Sequence, residues 1–240
     1  MWTKKRDHMT IDWQNVATLT FDCYGTIIDW ETGIADALTE VVRRRGVEVD
    51  RDALLRSFAT HEHVVEEDGR RYRDVLAETL RRVARDFEFE ASADECEAFG
   101  RSVADWPAFS DSVEALRRLA ARFELVILSN VDDDLFAGSA SRLPGVQFTH
   151  VVTAEQIGSY KPNPEHFHEG LRRIGRPLSQ VVHVAQSLFH DHAPAKALGF
   201  TTVWINRRGD DGCDGATPAA EAIPDLSLPD LRSLADLVEA

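Results

Sequence analysis

Cysteine is scarce, and its scarcity excludes two kinds of organisation. Cys23, Cys96 and Cys213 are scattered over 240 residues, too few and too far apart for a disulfide framework or a cysteine-based metal site. A cytoplasmic location is therefore the default expectation. Long apolar runs are also missing, since none approaches the ~20 residues of a membrane span. The opening segment from Met1 to Met9 is basic but lacks the apolar stretch of a secretory signal, and it reads as an extension ahead of a natural start near Met9. Positive charge is in deficit: 27 Lys and Arg stand against 41 Asp and Glu, a formal net charge of −14. That balance disfavours nucleic acid or an anionic membrane as partner. Internal repeats and low-complexity tracts are absent. What remains is 43% hydrophobic, enough for a substantial core in one large domain or a core domain with a smaller insert.

The stretch around which the rest is organised is Val16-Ala-Thr-Leu-Thr-Phe-Asp-Cys-Tyr-Gly-Thr-Ile-Ile-Asp-Trp30. Val16 to Phe21 reads as a buried strand of a parallel sheet covered on both faces. Asp22 then falls at the strand's carboxyl end, the edge where open α/β sheets bind ligands. Gly25 permits the backbone to turn sharply beside it. Helical spacing follows, first through Ile34, Leu38 and Val42 to a stop at Gly46, then in three further helices up to Trp106-Pro107. Ser92 and Glu95 form a capping box for the last of them. Arginines and acids fill the other faces of these helices and read as solvated surface. A helix restarts at Asp111 and runs to Phe123. Strands at Leu125–Asn130, Val146–Thr153, Val181–Val184 and Thr201–Ile205 then alternate with helices at Phe136–Leu143, Pro164–Ile174 and His190–Leu198. Arg207 to Pro218 reads as a loop and Leu228 to Val238 as a final helix. Alternation of this kind implies right-handed crossovers and a parallel sheet. The expected fold is α/β, a doubly wound parallel-sheet core from residues 1–29 and 111–240, with an all-helical insert over 30–110.

Polar residues close three more strands or loops. Ser129-Asn130 ends the Leu-Val-Ile-Leu run, Lys161 is pinned between an aromatic and a proline in Ser-Tyr-Lys-Pro-Asn-Pro164, and Gln186, Ser187 and Asp191 follow the strand His183-Val-Ala. His183 reads as a core residue, and His190-Asp-His192 lacks a third ligand for a metal.

Asp22-Cys-Tyr-Gly-Thr26 resembles the first motif of the haloacid dehalogenase superfamily, and more narrowly its 2-haloacid dehalogenase branch. Ser129, Lys161-Pro-Asn-Pro164 and the run His183–Asp191 resemble its second, third and fourth motifs. The resemblance implies a Rossmann-like core with a helical cap and a covalent aspartate nucleophile, Asp22. Lys161 and Asp191 would position Asp22 and a water, Thr26 would brace Asp22, and Ser129 and Asn130 would hold a substrate carboxylate. Tyr24 would wall the pocket, with Gln186 and Ser187 also on the substrate. The chain departs from the metal-dependent phosphatase branch at Tyr24 and Gln186, where that branch carries aspartates. Mg²⁺ is a hard cation that needs oxygen ligands, so no metal and no cofactor are expected. The Trp-Arg pair usual in dehalogenase caps is missing, which leaves Arg56 and Arg70 as the halide-side candidates. The implied activity is hydrolysis of short 2-haloalkanoic acids, with a small-molecule substrate, a halide product and a homodimer as candidate assembly. Two alternatives stand beside it: a phosphatase of the same superfamily with a degenerate metal site, and a non-catalytic binding protein that has kept the fold.

Overall fold

The computed structural model describes residues 11–67, 69–209 and 220–239. The chain enters the core on β1 (Thr18–Phe21), a fully buried four-residue strand. It then leaves for four helices, α1 (Trp30–Arg44), α2 (Arg51–Glu66), α3 (Tyr72–Asp86) and α4 (Ala93–Arg101). Side-chain caps start three of these: Asp29 accepts from Thr32 N–H, Asp50 from Ala53 N–H, and Ser92 and Glu95 form the expected capping box. The helical segment is bounded where its two ends run side by side. Asp29 N–H donates to the Pro107 carbonyl at 2.8 Å and Phe109 N–H to the Ile27 carbonyl at 3.1 Å.

After this neck come α5 (Ser112–Ala120), β2 (Glu124–Ser129), α6 (Asp133–Ala140), β3 (His150–Thr153), α7 (Ala154–Ile157) and α8 (Glu165–Ile174). The chain closes with β4 (Val181–Ala185), a π-turn over Leu188–His192 that runs into α9 (Ala193–Ala197), β5 (Thr201–Ile205), β6 (Leu226–Leu228) and α10 (Leu231–Glu239). All strand pairs are parallel, in the order β3-β2-β1-β4-β5-β6. The order reverses between β1 and β4, so the crevice beyond their carboxyl ends is the topological switch point where such sheets bind ligands. Asp22 and the Gln186–Asp191 segment flank it. No helix among the described residues is long and apolar enough to cross a membrane.

Local expectations shift at three places. The helix expected over 136–143 lies at 133–140, because Asp133 and Asp134 suit the positive end of its dipole and the Leu-Pro-Gly run from Leu143 ends it. Leu226–Leu228 is a sixth strand rather than the start of the last helix. Pro229 separates the two, and Asp230 accepts Ser233 N–H at 2.7 Å to begin α10. The loop expected over 207–218 and Cys213 lie mostly or wholly outside the described residues; Cys23 and Cys96 are free and buried.

A core carboxylate is prominent among the ties between the insert and the core. Asp132, 1% exposed, accepts from the backbone N–H groups of Tyr72 at 2.8 Å and Arg73 at 3.2 Å, and from Arg73 Nε at 3.1 Å. It thus caps α3 from another element of the chain. Its substitution Asp132→Ala leaves the first turn of α3 and Arg73 Nε without their acceptor, while Arg73 Nη2 keeps Asp134, and the expected loss is about 1–3 kcal/mol of stability. Urea unfolding checks this; an unchanged midpoint would show that the cap does not hold the insert.

Candidate active site

Asp22 stands at the end of β1, 6% exposed. Its Oδ1 accepts from Lys161 Nζ and its Oδ2 from the Thr26 hydroxyl, both at 2.9 Å. The Thr26 oxygen in turn accepts Gln186 N–H at 2.9 Å, tying the β1 turn to the end of β4. Gly25 makes this turn possible with φ +91°. A Cβ there would also lie 3.1 Å from both Gln186 Oε1 and Trp30 Nε1.

Lys161 is buried to 1%. Asn130 fixes its backbone from both sides, accepting Lys161 N–H at 2.7 Å and donating to the Lys161 carbonyl at 3.0 Å. The ammonium donates to Asp22 Oδ1, to Asp191 Oδ1 at 2.7 Å and to the Leu128 carbonyl at 2.8 Å. An ammonium has three protons, so none remains for a substrate. Asp191 Oδ1 also lies 3.0 Å from His183 Nε2, whose Nδ1 is 2.9 Å from the Thr20 hydroxyl. A proton on Nε2, with Thr20 donating to Nδ1, satisfies both contacts. Asp191 Oδ2 is buried and has no partner.

One cation between two carboxylates sets their acidities apart. Burial pushes the Asp22 carboxyl above its ordinary value; Lys161 and Thr26 oppose this and the Asp191 charge reinforces it. Asp191 is buried too, but the Lys161 charge and the His183 hydrogen bond outweigh the burial and hold it below the usual carboxylate range. The two anions together raise Lys161 despite its own burial. Asp191 is thus the resident anion that keeps Lys161 charged, and Asp22 is the more basic and more nucleophilic carboxylate.

These groups face a cavity of about 40 Å³, room for roughly two or three waters or a ligand of few heavy atoms. Tyr24, Asn130, Gln186 and Ser187 line it as expected. Tyr24 is steadied by a 2.9 Å hydrogen bond between its hydroxyl and that of Ser139, and by its edge-on contact with Trp106. Ser187 accepts His190 N–H at 2.9 Å, which shapes the turn carrying Asp191. The Asn130 carboxamide is occupied by the Lys161 backbone, and the Ser129 hydroxyl is buried, without a partner and off the cavity wall. The Ser129 hydroxyl therefore does not reach the cavity, whereas Asn130 lines it and its Nδ2 carries a second proton beyond the one given to the Lys161 carbonyl.

Arg56 and Arg70 are not brought to the site. Arg56 is exposed on the far side of the α2 face formed by Leu54, Phe58 and Val65, 4.0 Å from Asp50. Arg70 is exposed in the turn before α3, where its carbonyl takes the Tyr160 hydroxyl at 2.6 Å. In their stead α2 presents Glu62 and Glu66, both buried on the cavity wall with Trp30, Tyr72 and His190. The two acids continue the apolar face at helical spacing, Leu54, Phe58, Glu62, Glu66, so their inward direction was legible and the reading of α2's acids as solvated fails for these two. His183, in a core strand as expected, also orients Asp191; Thr20 is its register partner.

The donor set does not suit a divalent cation. Asp22 Oδ1 and Asp191 Oδ1 already hold Lys161, Tyr24 and Gln186 supply no charge, and among the described residues no group of three or more His, Cys, Asp or Glu is placed to hold a metal ion together.

A family model of haloacid dehalogenase-like hydrolases matches residues 16–199. Among curated proteins, the (S)-2-haloacid dehalogenase of Pseudomonas sp. (strain YL) is 26% identical over 232 residues, 92% of this chain and 94% of that protein. A glyceraldehyde 3-phosphate phosphatase of Methanocaldococcus jannaschii is 41% identical, over only 58 residues, 24% of this chain and 25% of that protein. Among solved structures, a defluorinating L-2-haloacid dehalogenase superposes with a TM-score of 0.79 at 25% identity, covering 94% of this chain and 96% of that one.

The buried acids make stability pH-dependent. Burial pushes Glu62 from its ordinary 4.5 to about 7, with the Tyr72 hydroxyl opposing. The folded state holds this proton more tightly than the unfolded one, so the stabilisation is complete below about pH 4.5 and is lost as pH rises through about 7. The shift corresponds to at most roughly 3 kcal/mol. Glu62→Gln keeps an acceptor for Tyr72 and removes the titration, so thermal unfolding should show the variant gaining on the parent as pH rises through that window. A constant difference at all pH values would refute it.

Proposed function

Because the chain belongs to the haloacid dehalogenase-like hydrolase family, we propose that it is a hydrolytic dehalogenase of short 2-haloalkanoic acids, working through a covalent ester on Asp22. The observation that supports this reading most is the triad of Asp22, Lys161 and Asp191 in a pocket where Tyr24 and Gln186 stand in place of metal-binding acids. A lysine as sole neighbouring cation suits displacement of a halide at carbon better than transfer of a doubly charged phosphate, which needs more positive charge than one saturated ammonium supplies. The likeness to a 2-haloacid dehalogenase runs over 92% of the chain, at 26% identity, and supports the chemistry, whereas the phosphatase likeness spans only a quarter of the chain.

Asp22, more basic than Asp191, attacks the halogen-bearing carbon in line. The C–O bond forms as the C–halogen bond breaks, and halide leaves with the bonding pair. Lys161 and Thr26 keep the carboxylate aimed, one contact on each oxygen. Water then adds to the aspartyl carbonyl, and the tetrahedral intermediate collapses to free Asp22 and the hydroxy acid. Asp191 Oδ2, without a partner, is the acceptor that orients this water. The helices over 30–110 act as a cap that keeps bulk water from the reacting carbon.

Chloroacetate and 2-chloropropionate should release halide, and excess chelator should change the rate by no more than about a factor of two, short of the tenfold that 1.4 kcal/mol of lost barrier lowering would give. Asp22→Asn should be nearly inactive. In a single turnover with enzyme in excess in oxygen-18 water, the label should enter Asp22 and not the product hydroxyl. Label appearing first in the product would end the covalent reading; strong Mg²⁺ dependence with phosphate esters would replace the dehalogenase by a phosphatase.

A further inference from the structure

The cavity carries a charge pattern that the covalent chemistry leaves unexplained. Four carboxyl groups line it, on Asp22, Glu62, Glu66 and Asp191, against one lysine and no arginine among the described residues. A 2-haloacid brings a further negative charge. Lys161 has no proton to offer it, since all three are engaged. Glu62 Oε1 accepts from the Tyr72 hydroxyl at 3.0 Å, and the Tyr160 hydroxyl is turned to the Arg70 carbonyl. The Glu66 carboxyl is different: it is 9% exposed and has neither a hydrogen-bond nor an ion-pair partner among the described residues.

The position of Glu66 also marks it. It lies on the wall of the inner cavity and on that of a second, outer cavity of about 440 Å³, which shares Lys161 and His190 and is otherwise built from His63, Glu67, Gly69, Gly158 to Asn163 and Phe189. Glu66 thus borders both spaces.

We propose that Glu66 is the specificity-determining residue of the pocket and acts as a neutral acid, its O–H donating to the carboxylate of the substrate, so that the substrate anion and a proton on Glu66 are held together. This rests on the haloacid reading given above. Charge-assisted O–H···O⁻ bonds are short and roughly twice as strong as neutral ones, and a carboxyl kept protonated by its surroundings is a known donor at neutral pH. An ionised Glu66 would instead oppose the substrate at close range with no cation between them.

The groups packed around Glu66 favour the neutral form. Burial, and after it the charge of Glu62, push its carboxyl well above the ordinary value; Lys161 opposes. His190 on the facing turn is held down to about 4 by burial and is uncharged at neutral pH. The hydroxyls of Tyr72 on α3 and Tyr160 before α8 stay protonated, raised mainly by burial. His63 and Glu67 line the outer cavity on the exposed side of α2, and Asp22 and Asp191 stand with Glu66 on the inner wall.

The test is the pH dependence of chloroacetate KM and kcat from about pH 6 to 9, for the parent, Glu66→Gln and Glu66→Asp, with glycolate binding followed by calorimetry in buffers of different ionisation heat. The parent's KM should rise by up to about tenfold per pH unit above the titration while kcat changes little, and glycolate should take up a proton fraction that grows toward one over the same range. Glu66→Gln still offers an N–H, so its KM should be flat with pH and its proton uptake lost; Glu66→Asp should keep a pH slope. Equal KM slopes in parent and Glu66→Gln, or glycolate binding by the parent without proton uptake, overturn the proposal, and the second readout needs no variant to fold. Halide release from chloroacetamide but not from chloroacetate at any pH also overturns it, leaving the nucleophile chemistry intact. Halide release from neither at any pH defeats the haloacid reading beneath it.

Discussion

Lys161 is the constraint on which the site depends. It carries its charge at 1% exposure, and only the three acceptors around it make that tenable. Each acceptor comes from a different part of the chain: Asp22 after β1, Leu128 on β2, and Asp191 after β4. The lysine therefore fastens the end of β1 to both neighbouring strand ends. Asn130 completes the arrangement by holding the lysine's backbone. A hydrophobic residue in this place would leave two carboxylates buried together without a counter-charge.

The sheet order explains how four distant segments meet. With β1 central and the order reversing between β1 and β4, residues 22, 130, 161 and 191 all project from the same edge, although the positions span most of the chain. Register carries the order further inward. Thr20 on β1 faces His183 on β4, and through it the orientation of Asp191 depends on the pairing of two buried strands. A slip of one residue would turn both side chains to the opposite face.

Much of this was legible in the residues. Asp22, Thr26, Lys161 and Asp191 could be placed because each follows an apolar run or a turn signal, and their backbone context is local. The roles of Ser129 and Asn130 were less so, since nothing in the sequence shows that the Asn130 carboxamide is occupied by a backbone 31 residues away. The pairing of Leu226–Leu228 is hidden by its shortness: three residues with one polar centre carry too little periodicity for a strand, and Leu228 reads as the start of the helix that follows. The α2 helix is the instructive case. Arg56 has the charge to attract a halide, but its place relative to Leu54 and Phe58 turns it to solvent; Glu62 and Glu66 share the apolar stripe and point inward. Helical phase, applied to charged residues as strictly as to apolar ones, would have found them.

The same phase sets how the helical insert meets the core. Asp132 ties the first turn of α3 to the core, and α2 precedes it closely, so the end of α2 is fixed above the strand edge by the anchoring of its neighbour. Trp30 at the start of α1 and Tyr72 at the start of α3 close the remaining sides of the inner cavity. The walls contributed by the insert are thus apolar or acidic, and the cation comes from the core alone. An enclosed site of this composition lowers the dielectric around Asp22 and strengthens its contact with Lys161. Apart from Lys161, whose three protons are engaged, the cavity walls carry no positive charge among the described residues. The acidic wall and the cation are in this way set by different elements, α2 on one side and the sheet edge on the other.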